Sequence, residues 1–128
     1  MKTVLKILAA GVVASVALSA RAELTVGVVL SLTGPASGLG IPTNNGFKLW
    51  PDTIAGQKVK MIVLDDATDP STGVKNARRL VTDEKVDVIL GSSTTPISVA
   101  MAEVATESGT LQIAISPPPL PPGKDAWT

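Results

Sequence analysis

Four short apolar runs punctuate the chain, and each stops at small, polar or turn-forming residues. Leu24-Thr-Val-Gly-Val-Val-Leu30 ends at Ser31-Leu-Thr-Gly-Pro35, and Val59-Lys-Met-Ile-Val-Leu64 ends at Asp65-Asp66. Val86-Asp-Val-Ile-Leu90 runs into Gly91-Ser-Ser-Thr-Thr95, and Leu111-Gln-Ile-Ala-Ile115 into Ser116 and a proline cluster. Runs that are apolar on successive residues suit strands buried on both faces, as in a parallel sheet. Helical periods lie between them. Val74, Ala77, Leu80 and Val81 recur at spacings of three and four, with Lys75, Arg78, Arg79 and Asp83 on the other side. That pattern is an amphipathic helix laid on a sheet. Asp69-Pro70 supplies its start, Asp69 as cap and Pro70 in the first turn. Ile97, Ala100, Met101, Val104 and Ala105 form a second apolar stripe, opened by Thr95-Pro96 and closed at Ser108-Gly109. A third helix is predicted from about Pro42 to Leu49, limited by Pro51. Three successive β-α-β crossovers predict a doubly wound parallel α/β sheet.

The two ends of the chain follow other rules. Lys2 and Lys6 precede an apolar run from Ile7 to Leu18, and Ser19-Ala20-Arg21-Ala22 offers the small-x-small site of a signal peptidase. The run is too short for a stable membrane-spanning helix. Residues 1–22 therefore read as a signal peptide cleaved after Ala22, residues 23–116 as one α/β lobe, and residues 117–128 as an extended proline-rich tail. The tail carries five prolines and no periodicity, so neither a helix nor a central strand continues through it. It is where a longer protein would carry on.

Composition narrows the function. The whole chain has eleven basic and eleven acidic residues, and losing Lys2, Lys6 and Arg21 leaves a mildly acidic remainder. Such a surface has no electrostatic footprint for nucleic acid. There is no cysteine and no histidine. Packing alone must then hold an exported fold together, and the commonest general base and metal ligand is missing. No catalytic site, metal site or cofactor is expected.

Ligands of open α/β sheets sit beyond the carboxyl ends of the strands. Gly91-Ser92-Ser93-Thr94-Thr95-Pro96 places four hydroxyls and several backbone N–H groups between a strand end and a helix start. A carboxylate is held at such a place by hydroxyls, unpaired amides and the helix dipole, with no basic side chain needed. The same residues also suit a plain helix cap with solvated hydroxyls, and local chemistry alone leaves both readings open. Thr33-Gly-Pro-Ala-Ser-Gly-Leu-Gly40 reads as a flexible loop on a cleft rim. It is not a dinucleotide fingerprint, because Thr43 stands where the third glycine belongs, and no Gly-Lys-Ser/Thr phosphate loop is present. Asp65 and Asp66 are neighbours in an extended chain and so point to opposite sides. They suit turn and hinge hydrogen bonding better than shared acid/base or metal chemistry. Trp50 reads as a packing residue at a helix end.

Taken in order, these residues resemble the first lobe of the type I periplasmic solute-binding proteins of the branched-chain amino-acid (leucine-binding) family. The resemblance rests on the signal peptide, Gly27-Val-Val-Leu-Ser-Leu-Thr-Gly-Pro35, Leu39-Gly-Ile-Pro42 with Asn45-Gly46, and Val63-Leu-Asp-Asp-Ala-Thr-Asp-Pro70. Val74-Lys-Asn-Ala-Arg-Arg-Leu80, Val86 to Thr95 and Ile115-Ser-Pro117 complete it. It implies a periplasmic substrate-binding component of an ABC importer for branched-chain amino acids or related small organic, including aromatic, acids, which hands its small carboxylate ligand to an inner-membrane permease. It also implies that only the first of two lobes is present here, a truncated form. Ligand contacts carried over from the family fall on Ser92, Ser93, Thr94 and Thr95, and on Ser116 and Pro118 after the fourth strand. There the sequence departs from the family: Pro118 and Pro119 lack N–H donors, and Leu120 replaces an expected hydroxyl. The departure shifts the expected ligand from an α-amino acid to a less polar aromatic or aliphatic acid. The alternative to a transport receptor is an exported interaction or structural module. A receptor needs Ser92, Ser93 and their neighbours open and unpaired, whereas an interaction module needs an exposed apolar face.

Overall fold

The computed structural model describes residues 23–116. The segment read as a signal peptide (1–22), the tail (117–128) and the candidate Pro118 lie outside the described residues. Strand β1 spans Leu24–Leu30, helix α1 Ser37–Phe47, β2 Thr53–Ile54, β3 Gln57–Asp65, α2 Pro70–Thr82, β4 Val88–Gly91, α3 Thr95–Ser108 and β5 Leu111–Ile113. The sheet order is β2-β3-β1-β4-β5. β1, β3, β4 and β5 pair in parallel and β2 joins β3 antiparallel. This is the α/β parallel architecture expected from the chain pattern.

The unbroken apolar runs are explained by burial on both sheet faces. Val29 and Ile89 on one face meet Ala77, Leu80, Ile97, Met101 and Val104 of α2 and α3. On the other face Val26, Val28, Leu30 and Leu90 form a second cluster with Phe47, Val59, Met61 and Val63 packed against it. Gly27 lets Leu80 lie directly on β1, since a Cβ there would stand 2.8 Å from Leu80 Cδ1. Beyond α1 the second face is less covered: Leu111 and Ile113 of β5, and Ile115 after it, remain 37–48% exposed.

Both helix starts anticipated from Asp69-Pro70 and Thr95-Pro96 are present. Asp69 Oδ1 accepts from Thr72 N at 2.7 Å and from the Ser71 and Thr72 hydroxyls, and Gly109 closes α3 with a left-handed φ of 68°. The first helix departs from expectation. It begins at Ser37 and not at Pro42, so half of the supposed rim loop is its first turn. Pro42 sits inside it, where the missing N–H forgoes one intrahelical bond. The reason is packing. Gly40 is buried against the Ser31 carbonyl, where any Cβ would collide with backbone. Gly40 serves close approach, not flexibility. The short hairpin β2–β3 was also unforeseen; it turns on Ala55 (φ 50°) and Gly56 (φ 77°), a primed turn without the usual Asn or Asp signal.

Candidate functional site

The chain order sends β1 to β3 on one side and then to β4 on the other, so the crevice beyond the carboxyl ends of β1 and β4 is the switch point of the sheet. Three strand ends meet there: Ser31 after β1, Asp66 after β3 and Ser92 after β4, each with 0% exposure. Ser31 Oγ donates to Asp66 Oδ1 at 2.7 Å, Ser92 Oγ donates to Asp66 Oδ2 at 2.6 Å, and Thr68 N donates to Oδ1 at 2.9 Å. Asp65 turns the other way. It accepts from Leu32 N, Thr33 N, Ala67 N and the Thr33 hydroxyl. Partial burial acts to raise its pKa, but the Thr33 hydroxyl and the Ala67, Thr33 and Leu32 amides outweigh it and hold the carboxyl below its ordinary value. The opposite facing of the two aspartates follows from their adjacency.

The polar network continues under α3. Ser98 Oγ accepts from Ser92 N at 2.9 Å, donates to Ser92 O at 3.1 Å and lies 2.9 Å from Ser116 Oγ. Gln112 Nε2 donates to Gly91 O and Ser98 O. Ser98, Gln112 and Ser116 are all buried. Buried polar groups need partners, and two atoms here have none among the described residues: Ser93 Oγ and Gln112 Oε1.

These facts sort the candidate residues. Ser92 was expected to be open and unpaired; it is closed. A serine has one O–H, and Asp66 takes it. Ser116 is likewise turned inward to Ser98. Ser93 is the opposite case, 9% exposed with its hydroxyl unpartnered. Thr94 is the N-cap residue of α3 without a side-chain cap bond, and its N–H lies 3.5 Å from Ser92 Oγ. Thr94 and Thr95 are half-buried at the helix start, and no acidic side chain in the first turn offsets the positive end of the helix dipole. Sequence reasoning missed Ser31, Ser98 and Gln112. The signal was there: a polar residue inside each of two buried patterns, and a serine ending the first strand. No group of histidine, cysteine or acidic residues placed to hold a metal occurs among the described residues. A groove of about 260 Å³ lies elsewhere, at the sheet edge between α1 and β3, lined by Phe47, Trp50, Met61 and Val63. Trp50 packs edge-to-face on Phe47 there, 5.3 Å between centroids. The groove's lining includes none of Ser31, Asp66, Ser92 and Ser93.

The chain is thus a doubly wound α/β lobe with a helix start and an unpartnered hydroxyl at its switch point. The family profile described as periplasmic binding protein matches residues 23–126, and the chain belongs to that family. It is 33% identical over 117 residues to the Leu/Ile/Val-binding protein BraC3 of Rhizobium johnstonii, covering 85% of this chain and 32% of that protein. An extracellular ligand-binding receptor from Rhodopseudomonas palustris superposes with a TM-score of 0.77 at 48% identity, over 80% of this chain and 28% of the receptor. A solute binding protein of an ABC transporter from Rhodopseudomonas palustris BisB5, in complex with 3,4-dihydroxy benzoic acid, superposes with a TM-score of 0.71 at 33% identity. That match covers 73% of this chain and 27% of the other. The chain thus spans about a third of the length of the curated relative BraC3.

Proposed function

We propose that this chain is exported, with residues 1–22 removed as a signal peptide, and serves as the first lobe of a periplasmic receptor that captures a small carboxylate for an ABC permease. The observation that carries this reading is the buried, unpartnered Ser93 hydroxyl at the start of the fourteen-residue helix α3. A buried hydroxyl without a partner costs about 1–3 kcal/mol. A ligand carboxylate offers it an acceptor and is favoured by the helix N-terminus as well. Ser93, Thr94 and Thr95 face the ligand on this reading, while Ser92 and Ser116 hold the loops from behind. The solute class favoured on this reading is an aromatic or aliphatic acid: Leu120 supplies no hydroxyl to an α-amino group, and a similar solute binding protein is found in complex with 3,4-dihydroxy benzoic acid.

A Ser93→Ala variant tests this. Isothermal titration of the exported chain with 3,4-dihydroxybenzoate and with isoleucine should show weakening of about 1.5–3 kcal/mol for the former, the worth of a hydrogen bond to a charged group. Equal affinity in both proteins places the carboxylate elsewhere. The alternative, an interaction module, is favoured by the exposed row of Leu111, Ile113 and Ile115 beside edge strand β5. Its occupant would be a second copy. A concentration-independent monomer in size-exclusion chromatography rejects that reading.

A further inference from the structure

The carboxylate of Asp66 is fully buried, and each of its bonded partners is a hydroxyl or an amide. Burying a carboxylate is unfavourable unless donors replace its water, so its presence at the junction of three strand ends calls for a reason. Its chemistry differs from that of any neutral substitute. The Asp66 carboxyl oxygens accept in all three bonds, and both serine hydroxyls, Ser31 and Ser92, therefore point their protons inward. Ser92 Oγ is left with lone pairs, which face Thr94 N. The backbone of Ser92 is gripped in turn by Ser98, whose hydroxyl spans Ser92 N and Ser92 O. One residue beyond this doubly held serine stands the orphaned Ser93 hydroxyl, and two beyond it the N-cap of α3.

We propose that Asp66 is the positioning residue of the carboxylate site: by taking the Ser92 hydroxyl proton it fixes segment 92–94, so that the Ser93 hydroxyl and the first-turn amides of α3 converge on one ligand group. The proposal rests on the receptor reading given above. It opposes the simplest electrostatic expectation. A buried negative charge behind a carboxylate site repels the ligand, so neutralising it would tighten binding if charge were all that mattered. Positioning gives the opposite sign. An asparagine at 66 keeps the size but presents an NH2 group to Ser92, reversing that hydroxyl and releasing Thr94 N.

The test is a double-mutant cycle on the full exported chain, Asp66→Asn and Ser92→Ala singly and together, followed by 1H–15N NMR with 3,4-dihydroxybenzoate as the probe. Asp66→Asn should raise Kd about five- to tenfold, and in the Ser92→Ala background its further effect should fall below about twofold, because the two act through one contact. An unchanged or lower Kd, or an equal loss in both backgrounds, overturns the proposal, since a merely structural aspartate would act independently of Ser92. The ligand-free spectra decide the matter even if the probe does not bind. Asp66→Asn must displace the Ser93 and Thr94 amide resonances, and amides left in place sink the positioning role. A wild-type protein whose amides ignore every carboxylate probe refutes the receptor reading instead. Should Asp66→Asn fail to fold, Ser92→Ala alone must show the weakening, for it removes the hydroxyl through which Asp66 acts.

Discussion

Two glycine-to-alanine substitutions in helices should have opposite signs here, and the pair tests how α2 and α3 are packed. Alanine is favoured over glycine in a helix interior by about 0.5–1 kcal/mol, because it loses less backbone entropy on folding. Gly46, in the last turn of α1, has open space where a Cβ would project. Gly46→Ala should therefore stabilise by about 0.5 kcal/mol. Gly73 of α2 is buried, and a Cβ there would stand closer than 3.0 Å to Ile97 Cγ2, with Met101 also in contact range. Overpacking of this kind costs about 1–3 kcal/mol. It exceeds the propensity gain, so Gly73→Ala should destabilise by about 1–2 kcal/mol net. For a domain of this size the melting temperature should fall by roughly 5–15 °C for Gly73→Ala and rise by roughly 2–4 °C for Gly46→Ala. Differential scanning calorimetry reads both. The cause is checked by repeating Gly73→Ala in an Ile97→Ala background, where the new methyl fills part of the vacated space and the penalty should disappear. Shifts of the same sign at the two glycines, or a penalty that survives loss of the Ile97 side chain, would refute the reasoning.

Other outcomes follow from local chemistry. Asp69→Ala should lower the urea midpoint, because α2 loses the side chain that caps its first turn. The Asp69 carboxyl is held below its ordinary value of 3.8 by the Ser71 hydroxyl, the Thr72 amide and the Thr72 hydroxyl. A depressed folded-state pKa adds stability that is complete above 3.8 and lost as pH falls through the folded value, so acid unfolding of the Asp69→Ala protein should lack that component. Mass spectrometry of periplasmic material should give a mature chain beginning at Glu23; a retained Met1 in the membrane fraction would contradict the cleavage site.

Periodicity made most of the fold legible. Strand-end chemistry marked the four main strands, and α2 and α3 carried clear starts in Asp69-Pro70 and Thr95-Pro96. Adjacency alone told that Asp65 and Asp66 face apart. The first turn of α1 was hidden because glycine is read as a loop former, whereas Gly40 is required by the Ser31 carbonyl packed against it. That contact is made by the tertiary fold and leaves no local mark. The candidate loop after β4 was found from its hydroxyls, but not the division of labour within it. Ser31 and Asp66 are 35 positions apart, and Asp66 and Ser92 26. Only the parallel register brings them together and turns Ser92 inward. Gln112 was concealed in the same way, a polar residue in an apolar strand whose partners, Gly91 O and Ser98 O, belong to a neighbouring strand and helix.

The central claim is that a ligand carboxylate is held at the start of α3. Amide mapping of residues 23–128 tests it most directly, with 3,4-dihydroxybenzoate titrated to millimolar concentration and 3,4-dihydroxybenzamide as the neutral control. Two or three hydrogen bonds in an open lobe must overcome the entropy of association, so a Kd of roughly 1 mM is expected. Saturable shifts should centre on Ser93, Thr94, Thr95 and Ile97 and be absent with the amide. Shifts centred instead on Phe47, Trp50 and Met61, or of equal size with acid and amide, would contradict a carboxylate site at this helix.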